Sequence, residues 1–380
     1  MPVRIVCYAH PVKSRKSMTE VLSTTFIPEE FSQKLLSWFD QHGRHDLPWQ
    51  HPRSPYRVWL SEIMLQQTQV STVIGYFNKF VERFPQVADL AAAPIDDVLV
   101  YWAGLGYYAR ARNLHKAAIK VMQEFEGEFP KQTEQLQTLP GIGRSTAGAI
   151  LAQAFNLREP ILDGNVKRVL TRVEGIHGWP GLPAIEKNLW QIAEAYTPEE
   201  RVVDYTQAIM DLGATLCTRS KPRCVECPFQ SGCQAHLNNE TSDLPTRKPK
   251  KQTPTVERYL LVLQDADGRF LMERRPATGI WGGLWCFPES EKDSDLDTAL
   301  ESWKPHFPIS KHFDLAEPFK HTFSHYHVIL KPVLMNIDGT LPAIREEGLA
   351  WMHLEQNDLA LPAPISQWLA SGNLSQHQLL

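Results

Sequence analysis

Apolar residues recur at spacings of three and four through most of the first two thirds of the chain, and Pro or Gly punctuates the gaps between these runs. The pattern predicts helices over 31–41, 57–67, 70–83, 95–103, 109–125, 145–155, 165–173, 185–195 and 205–212. The following stretch is polar and rich in Pro and Lys, and reads as a linker over 237–255. Beyond it the period changes. Strands are predicted over 258–264, 269–273, 328–335 and 349–354, with a helix over 295–303. At 380 residues the chain is long for one hydrophobic core. It divides into an N-terminal extension at 1–27, with Met18 as an alternative start, a helical domain at 28–236, the linker, and an α/β domain at 256–375.

Composition adds little to this picture, but charge placement adds more. The apolar fraction is 43% and the charged fraction 22%, ordinary for a soluble globular protein. No apolar run is long enough to span a bilayer and the N-terminus lacks a secretory pattern, so no membrane partner and a cytoplasmic location are expected. The net charge of −4 argues against a nucleic-acid partner. Basic residues nevertheless bunch at Arg110, Arg112 and Lys116; at Lys167, Arg168 and Arg172; at Arg219, Lys221 and Arg223; and at Arg247, Lys248, Lys250 and Lys251. Lying beside the motifs described next, these bunches predict a DNA-facing surface.

Four of the six cysteines follow the pattern Cys217-x6-Cys224-x2-Cys227-x5-Cys233. Four thiolates on one compact loop can enclose a metal centre. Zinc sites more often pair two C-x2-C knuckles, and only one is present; thiolate-only ligation suits an iron–sulfur cluster at least as well. The residues alone leave both open. Cys7 and Cys286 stand apart and read as ordinary thiols. Leu139-Pro140-Gly141-Ile142-Gly143-Arg144 lies between two helical segments. Its glycines permit a tight turn and close approach, and the free amides of the next helix favour an anion. A short Gly-x-Gly is also an ordinary helix–helix turn.

Two carboxylates carry candidate chemistry. Glu62 lies in an apolar helical stretch with Val58, Trp59, Leu65 and Gln66 as its face neighbours and no base three or four residues away. Such a carboxyl should hold its proton more readily. Asp163, in Ile161-Leu162-Asp163-Gly164-Asn165-Val166, precedes a helix and is a natural N-cap. A helix N-terminus also favours the ionised form, so capping and chemistry are compatible. A protonated acid beside an ionised carboxylate is the pair that cleavage of a glycosidic bond requires.

The cysteine spacing resembles the four-iron four-sulfur loop of the endonuclease III superfamily of DNA glycosylases, and the hairpin resembles its helix–hairpin–helix element. These motifs join Leu47-Pro48-Trp49, Leu65-Gln66-Gln67-Thr68-Gln69-Val70, Gly104-Leu105-Gly106-Tyr107-Tyr108-Ala109-Arg110 and Asp163-Gly164-Asn165-Val166. Together, over residues 28–375, they resemble the adenine DNA glycosylases of the MutY family. The resemblance implies an all-α helix–hairpin–helix glycosylase domain with an iron–sulfur loop, followed by an α/β Nudix-like domain. It implies a structural 4Fe-4S cluster on Cys217, Cys224, Cys227 and Cys233. It makes Glu62 the acid that protonates adenine, Asp163 the carboxylate that stabilises the cationic intermediate, and Asn165 its support. Gln67 and Tyr107 would wedge into the base stack, and Trp49 and Gln207 would line the adenine pocket. The implied partner is double-stranded DNA carrying adenine opposite 8-oxoguanine or guanine. The protein is expected to act as a monomer, DNA-associated in a bacterial-type cytoplasm.

Bifunctional relatives carry a lysine at the position of Ser145. Serine cannot form a Schiff base, so a monofunctional glycosylase is expected. In the second domain Gly283 and Glu289 fit the start of a Nudix box, G-x5-E-x7-R-E-u-x-E-E-x-G-u, but the later positions read Asp297-Thr298-Ala299-Leu300-Glu301-Ser302. Most magnesium-binding carboxylates are missing, which implies a binding surface without hydrolase activity. The segment His321-Thr322-Phe323-Ser324-His325-Tyr326-His327 resembles the family's Phe-Ser-His loop, in which Ser324 would hydrogen-bond 8-oxoguanine. Three other readings stand against this one: an endonuclease III-type enzyme acting on oxidised pyrimidines, a silent mismatch-binding protein, and a nucleotide pyrophosphatase.

Overall fold

The structure is a computed structural model that describes residues 24–249, 253–276, 279–303, 312–323, 326–337, 348–354, 360–372 and 374. Cys7 and most of the N-terminal extension, Lys250 and Lys251 of the linker, and Ser324 and His325 lie outside the described residues.

The first body is helical: α1 (Pro28–His42), α2 (Pro55–Leu65), α3 (Val70–Arg83), α4 (Val87–Ala92), α5 (Ile95–Trp102), α6 (Ala109–Glu124), α7 (Thr133–Leu136), α8 (Arg144–Phe155), α9 (Gly164–Val173), α10 (Pro183–Tyr196), α11 (Val202–Asp211) and α12 (Gln234–Leu237). Local chemistry sets several boundaries. Ser54 caps α2 by accepting the Arg57 N–H at 3.3 Å, with Pro55 at the first helical position, and Asn156 ends α8 in a left-handed conformation (φ 55°). The apolar faces meet in two cores. One gathers Trp59, Phe77, Phe80 and Trp102; the other gathers Phe31, Leu212 and Phe229 around Tyr196. Full burial of such side chains contributes on the order of 2–3 kcal/mol each. Helix α8 packs against α2 on one side and α11 on the other, so it joins the two halves.

The second body is a sheet ordered β3 (Trp285–Cys286), β2 (Phe270–Arg274), β1 (Thr255–Gln264), β6 (His327–Asn336), β4 (Asp314–Leu315). The strands β5 (Phe319–Thr322) and β7 (Leu349–Met352) pair with β6 and β2. The strands β1 and β6 run parallel, from Thr255 opposite His327 to Gln264 opposite Asn336. Leu260 and Val262 point into one core, over which Ile365 and Trp368 of α14 (Ala363–Ala370) pack. Leu261 and Leu263 point into the other, against Leu296 and Leu300 of α13 (Leu296–Trp303). Burial on both faces explains the continuous apolar run at 260–263.

The two bodies are docked. Leu284 and Ala360 are buried in the core that holds Trp59 and Trp102. Arg112 of α6 donates to the Gly282 carbonyl, the Tyr108 hydroxyl donates to the Leu361 carbonyl at 3.4 Å, and Arg274 pairs with Asp96 of α5.

The structure departs from the expectations in several places. The short elements α4, β3, β4 and β5 and the C-terminal α14 were not predicted, because two to eight residues carry too little period to register. The linker ends one residue early, since Thr255 already belongs to β1. Helix α11 does not stop at 212 but continues as a π-helical turn, Leu212–Leu216. The basic bunches are not one surface. Arg110 and Arg172 are buried, donating to backbone carbonyls, and Arg112 reaches the second body, whereas Lys116, Arg219, Lys221, Arg247 and Lys248 are exposed. Carbonyl groups at helix ends need donors, and sequence cannot tell such an arginine from a solvated one. Among the described residues no helix is long and apolar enough to cross a membrane.

Candidate active site

Glu62 and Asp163 are brought together although 100 residues of chain separate them. Glu62 sits in the third turn of α2. The residue is half-buried, and among the described residues its carboxyl receives a single hydrogen bond, from Gln153 Nε2 of α8 at 3.4 Å. Burial first, and the Asp163 charge second, push the Glu62 carboxyl up to about 8. Asp163 is the N-cap of α9. Its Oδ1 accepts the Val166 N–H at 2.8 Å and its Oδ2 accepts Asn165 Nδ2 at 3.1 Å. Burial raises the Asp163 carboxyl above its usual range, while those donors and the nearby Arg168 guanidinium pull the other way. One acid thus has a single weak donor and the other has several.

The segment leading to Asp163 is fixed against α8. A Cβ on Gly148 would lie 2.4 Å from the Pro160 carbonyl, so only glycine permits this approach. Ser145 Oγ accepts the Leu162 N–H at 2.9 Å, one residue before Asp163. On the far side, a Cβ on Gly213 would lie 2.6 Å from Asn165 Cβ, which seats the π-helical turn against α9. Arg168 donates from Nη2 to Asn165 Oδ1 at 2.8 Å and to the Gly213 carbonyl at 2.7 Å, and from Nε to the Cys217 carbonyl at 2.8 Å. It ties the Asp163 cap to the cysteine loop. Lys167, the nearest lysine in sequence, is paired with Glu186 at 2.6 Å.

The four cysteines line one cavity together with Arg172, Leu216 and Phe229. Arg172 Nη1 donates to Cys217 Sγ at 3.3 Å. Burial pushes the Cys227 thiol up to about 12 and raises Cys224 and Cys233, each reinforced by neighbouring cysteines. Among the described residues no three His, Cys, Asp or Glu side chains are gathered tightly enough to ring a single metal ion.

The other expected site residues fall at several depths. Tyr107 is 54% exposed and Gln67 is exposed; both have left-handed backbone, φ 49° and 60°. Non-glycine residues at such angles store strain and cluster at functional loops. Trp49 is buried, edge to face with Phe77 at 5.4 Å. Gln207 is buried and donates to Asp211 Oδ1 at 2.7 Å; that carboxylate also holds Arg44. In the hairpin, Gly141 takes φ 84°, and the exposed Gly143 and Arg144 leave the first amides of α8 open. Gln153, Gly148, Gly213 and Arg168 escaped attention as site residues. The glycines were the available signal, since glycine within or beside a helix often marks a close approach.

A family profile described as HhH-GPD superfamily base excision DNA repair protein matches residues 60–195, and one described as NUDIX domain matches residues 259–371. The chain is 40% identical over 339 residues to an adenine DNA glycosylase of Buchnera aphidicola subsp. Baizongia pistaciae, covering 89% of this chain and 95% of that protein. It is 34% identical over 384 residues to the adenine DNA glycosylase of Mus musculus, covering 86% and 74%. Among solved structures, a thermostable thymine-DNA glycosylase superposes with a TM-score of 0.51 at 27% identity, covering 56% of this chain and 97% of that one.

Proposed function

This chain belongs to the adenine DNA glycosylase family, and from that premise we propose that it turns adenine mispaired with 8-oxoguanine or guanine out of duplex DNA and hydrolyses its N-glycosidic bond. The observation that carries this reading is the unequal environment of Glu62 and Asp163. Two neighbouring carboxyls in one buried site do not both ionise readily. The proton resides on Glu62, whose single donor is distant, and the charge resides on Asp163, which has a backbone amide, an Asn165 side chain and a helix N-terminus to stabilise it. With Glu62 near 8, its acid form prevails at pH 7 by roughly ten to one.

Glu62 gives its proton to the departing adenine, which would otherwise leave as a poor anion. The electrons of the broken bond go with the base. Asp163 faces the cationic sugar and, held by Asn165, stabilises it by charge. The Glu62 carboxylate left behind takes a proton from the water that adds to the sugar carbon, which restores the acid. The product is an abasic strand. Ser145 has no amine and is engaged with the Leu162 amide, and Lys167 is engaged by Glu186, so strand cleavage is not part of the reaction.

Cys217, Cys224, Cys227 and Cys233 fit a 4Fe-4S cluster. All four thiols line one cavity on a compact loop, a thiolate-only donor set that suits such a cluster. Four thiols lining one cavity also require a cationic centre to ionise together. The cluster would anchor the loop bearing the exposed Arg219 and Lys221 toward DNA phosphate. The α8 amides behind Gly143 would hold another phosphate. Gln67 and Tyr107 enter the base stack, and Trp49 and Gln207 border the adenine pocket. Ser324 would contact 8-oxoguanine from the second body.

One assay tests the reading. Duplexes with adenine opposite 8-oxoguanine, guanine or thymine are incubated with the protein, and each reaction is split and run with and without alkali. Free adenine is expected from the first two duplexes, with strand breaks only after alkali. Release from adenine opposite thymine at an equal rate would refute the mispair preference, and equal breakage without alkali would refute the monofunctional chemistry.

A further inference from the structure

The two exposed loops of the site, one at Gln67 and one at Tyr107, share a single buried arginine. Arg110 lies in the first turn of α6 and is 8% exposed. Its Nη1 donates to the carbonyls of Ile63 at 3.0 Å, Met64 at 2.8 Å and Gln66 at 2.5 Å. Its Nη2 donates to Thr68 Oγ1 and to the carbonyls of Leu105 and Gly106, each at 3.2 Å. The first four acceptors belong to the end of α2 and the loop that follows it. The last two belong to the loop after α5. One guanidinium therefore caps the C-terminal end of α2, where unpaired carbonyls and the negative end of the helix dipole collect, and ties it to the loop after α5.

The charge has no other evident purpose. Among the described residues no carboxylate forms an ion pair with Arg110, and its plane lies near the rings of Trp102 and Tyr107, at 5.3 and 5.5 Å. Burial lowers the guanidinium to about 10, which leaves it protonated at neutral pH. A buried, unpaired cation is costly unless several acceptors surround it, so the two loops and the arginine stabilise one another. Only a planar, forked donor spans both loops at once; an ammonium is a point donor.

We propose that Arg110 is a positioning residue that holds the Gln67 loop and the Tyr107 loop at a fixed separation, so that both wedges enter the base stack in one motion. The proposal rests on the reading of Gln67 and Tyr107 as wedges. Both backbones are left-handed, and without an external tie each strained loop would relax on its own.

The test uses the full chain with Arg110→Lys, and with Thr68→Val as a milder change that removes one acceptor and leaves the cation in place. Hydrogen exchange is measured over 63–68 and 104–108. Extrusion is followed by single-turnover adenine release from a fully stacked duplex and from one in which the adenine faces an abasic gap. Arg110→Lys should raise exchange in both loops together. It should slow release roughly 10- to 100-fold on the stacked duplex, the scale expected for a misplacement of about 1 Å, and much less on the gapped one. Thr68→Val should shift both readouts the same way by a smaller factor. Unchanged exchange, a rise in one loop only, or equal slowing on both duplexes overturns the proposal. Gln67→Ala and Tyr107→Ala are run alongside. If neither slows the stacked duplex selectively while exchange in Arg110→Lys still rises in both loops, the wedge reading fails and the tie between the loops stands.

Discussion

Each body of this molecule sets two acids close together in a largely enclosed place, and the two pairs are stabilised in different ways. In the helical body Glu62 and Asp163 share a site with hydrogen-bond donors crowded on Asp163. In the sheet body Glu289, with a side chain 5% exposed, lies beside Glu273, but Arg275 and Arg258 approach it at 3.5 and 3.6 Å. Burial raises both Glu62 and Glu289, yet at Glu289 two cations oppose the shift. The first leaves an acid with little compensation, which on the reading proposed above is a proton ready for transfer. The second sets two fixed cations against the effect of burial. Glu289 occupies the first acidic position of the broken Nudix box, and the arginines stand where charge compensation is needed. A buried carboxyl is thus a candidate acid only when its compensation is a proton.

The largest effect that tests this contrast is loss of the proton donor. Glu62→Gln should reduce single-turnover adenine release by about 100- to 10,000-fold with binding of mispaired duplex preserved, whereas Glu289→Gln should leave the rate per folded molecule unchanged. If both substitutions abolish release, the two acids are not different in kind.

The pH profile comes next. The acid must be protonated, so kcat/KM should fall about tenfold per pH unit above the Glu62 value near 8. Stability follows the same group. Its folded pKa lies above the ordinary value of 4.5, so its contribution is complete below that value and is lost as pH rises through about 8. Glu62→Gln should therefore unfold at higher temperature than the parent at pH 9, with the difference vanishing near pH 4. Parallel pH profiles of melting for the two proteins would contradict the raised value.

The smallest effect lies in the sheet body. Glu289→Gln leaves Arg258 and Arg275 without their shared acid. Both are partly exposed, so the expected loss is about 1–3 kcal/mol, read as a lower urea midpoint, with little change across pH 6–9. No loss would mean that solvent already satisfies the arginines.

The longer helices of the first body were legible from period alone, the cysteine loop from its spacing, and Glu62 and Asp163 as candidates whose roles came only from the resemblance. The short elements and the docking of the two bodies were not. Leu284 and Ala360 belong to the chain segment of the second body and carry no motif, yet both are buried in the core around Trp102. Arg110 and Arg172 read as surface charge and are interior donors. The reason is the same in each case: an arginine beside an apolar run has one sequence signature whether its partner is water or the carbonyl end of a distant helix.

The sequence by itself supplied the candidates for chemistry: two acids, four closely spaced thiols, a glycine hairpin, and a serine at position 145. It also determined that Asp163 caps α9, because capping is decided within three residues of chain. Tertiary structure alone decided that Glu62 lies near Asp163 and meets Gln153, and so how unequally the two acids are supplied with donors. It alone decided that Arg168 joins Asn165 to the cysteine loop and that Arg110 joins two loops. Protonation and positioning depend on burial and on distances of a few ångströms between segments far apart in the chain, and packing alone sets those distances.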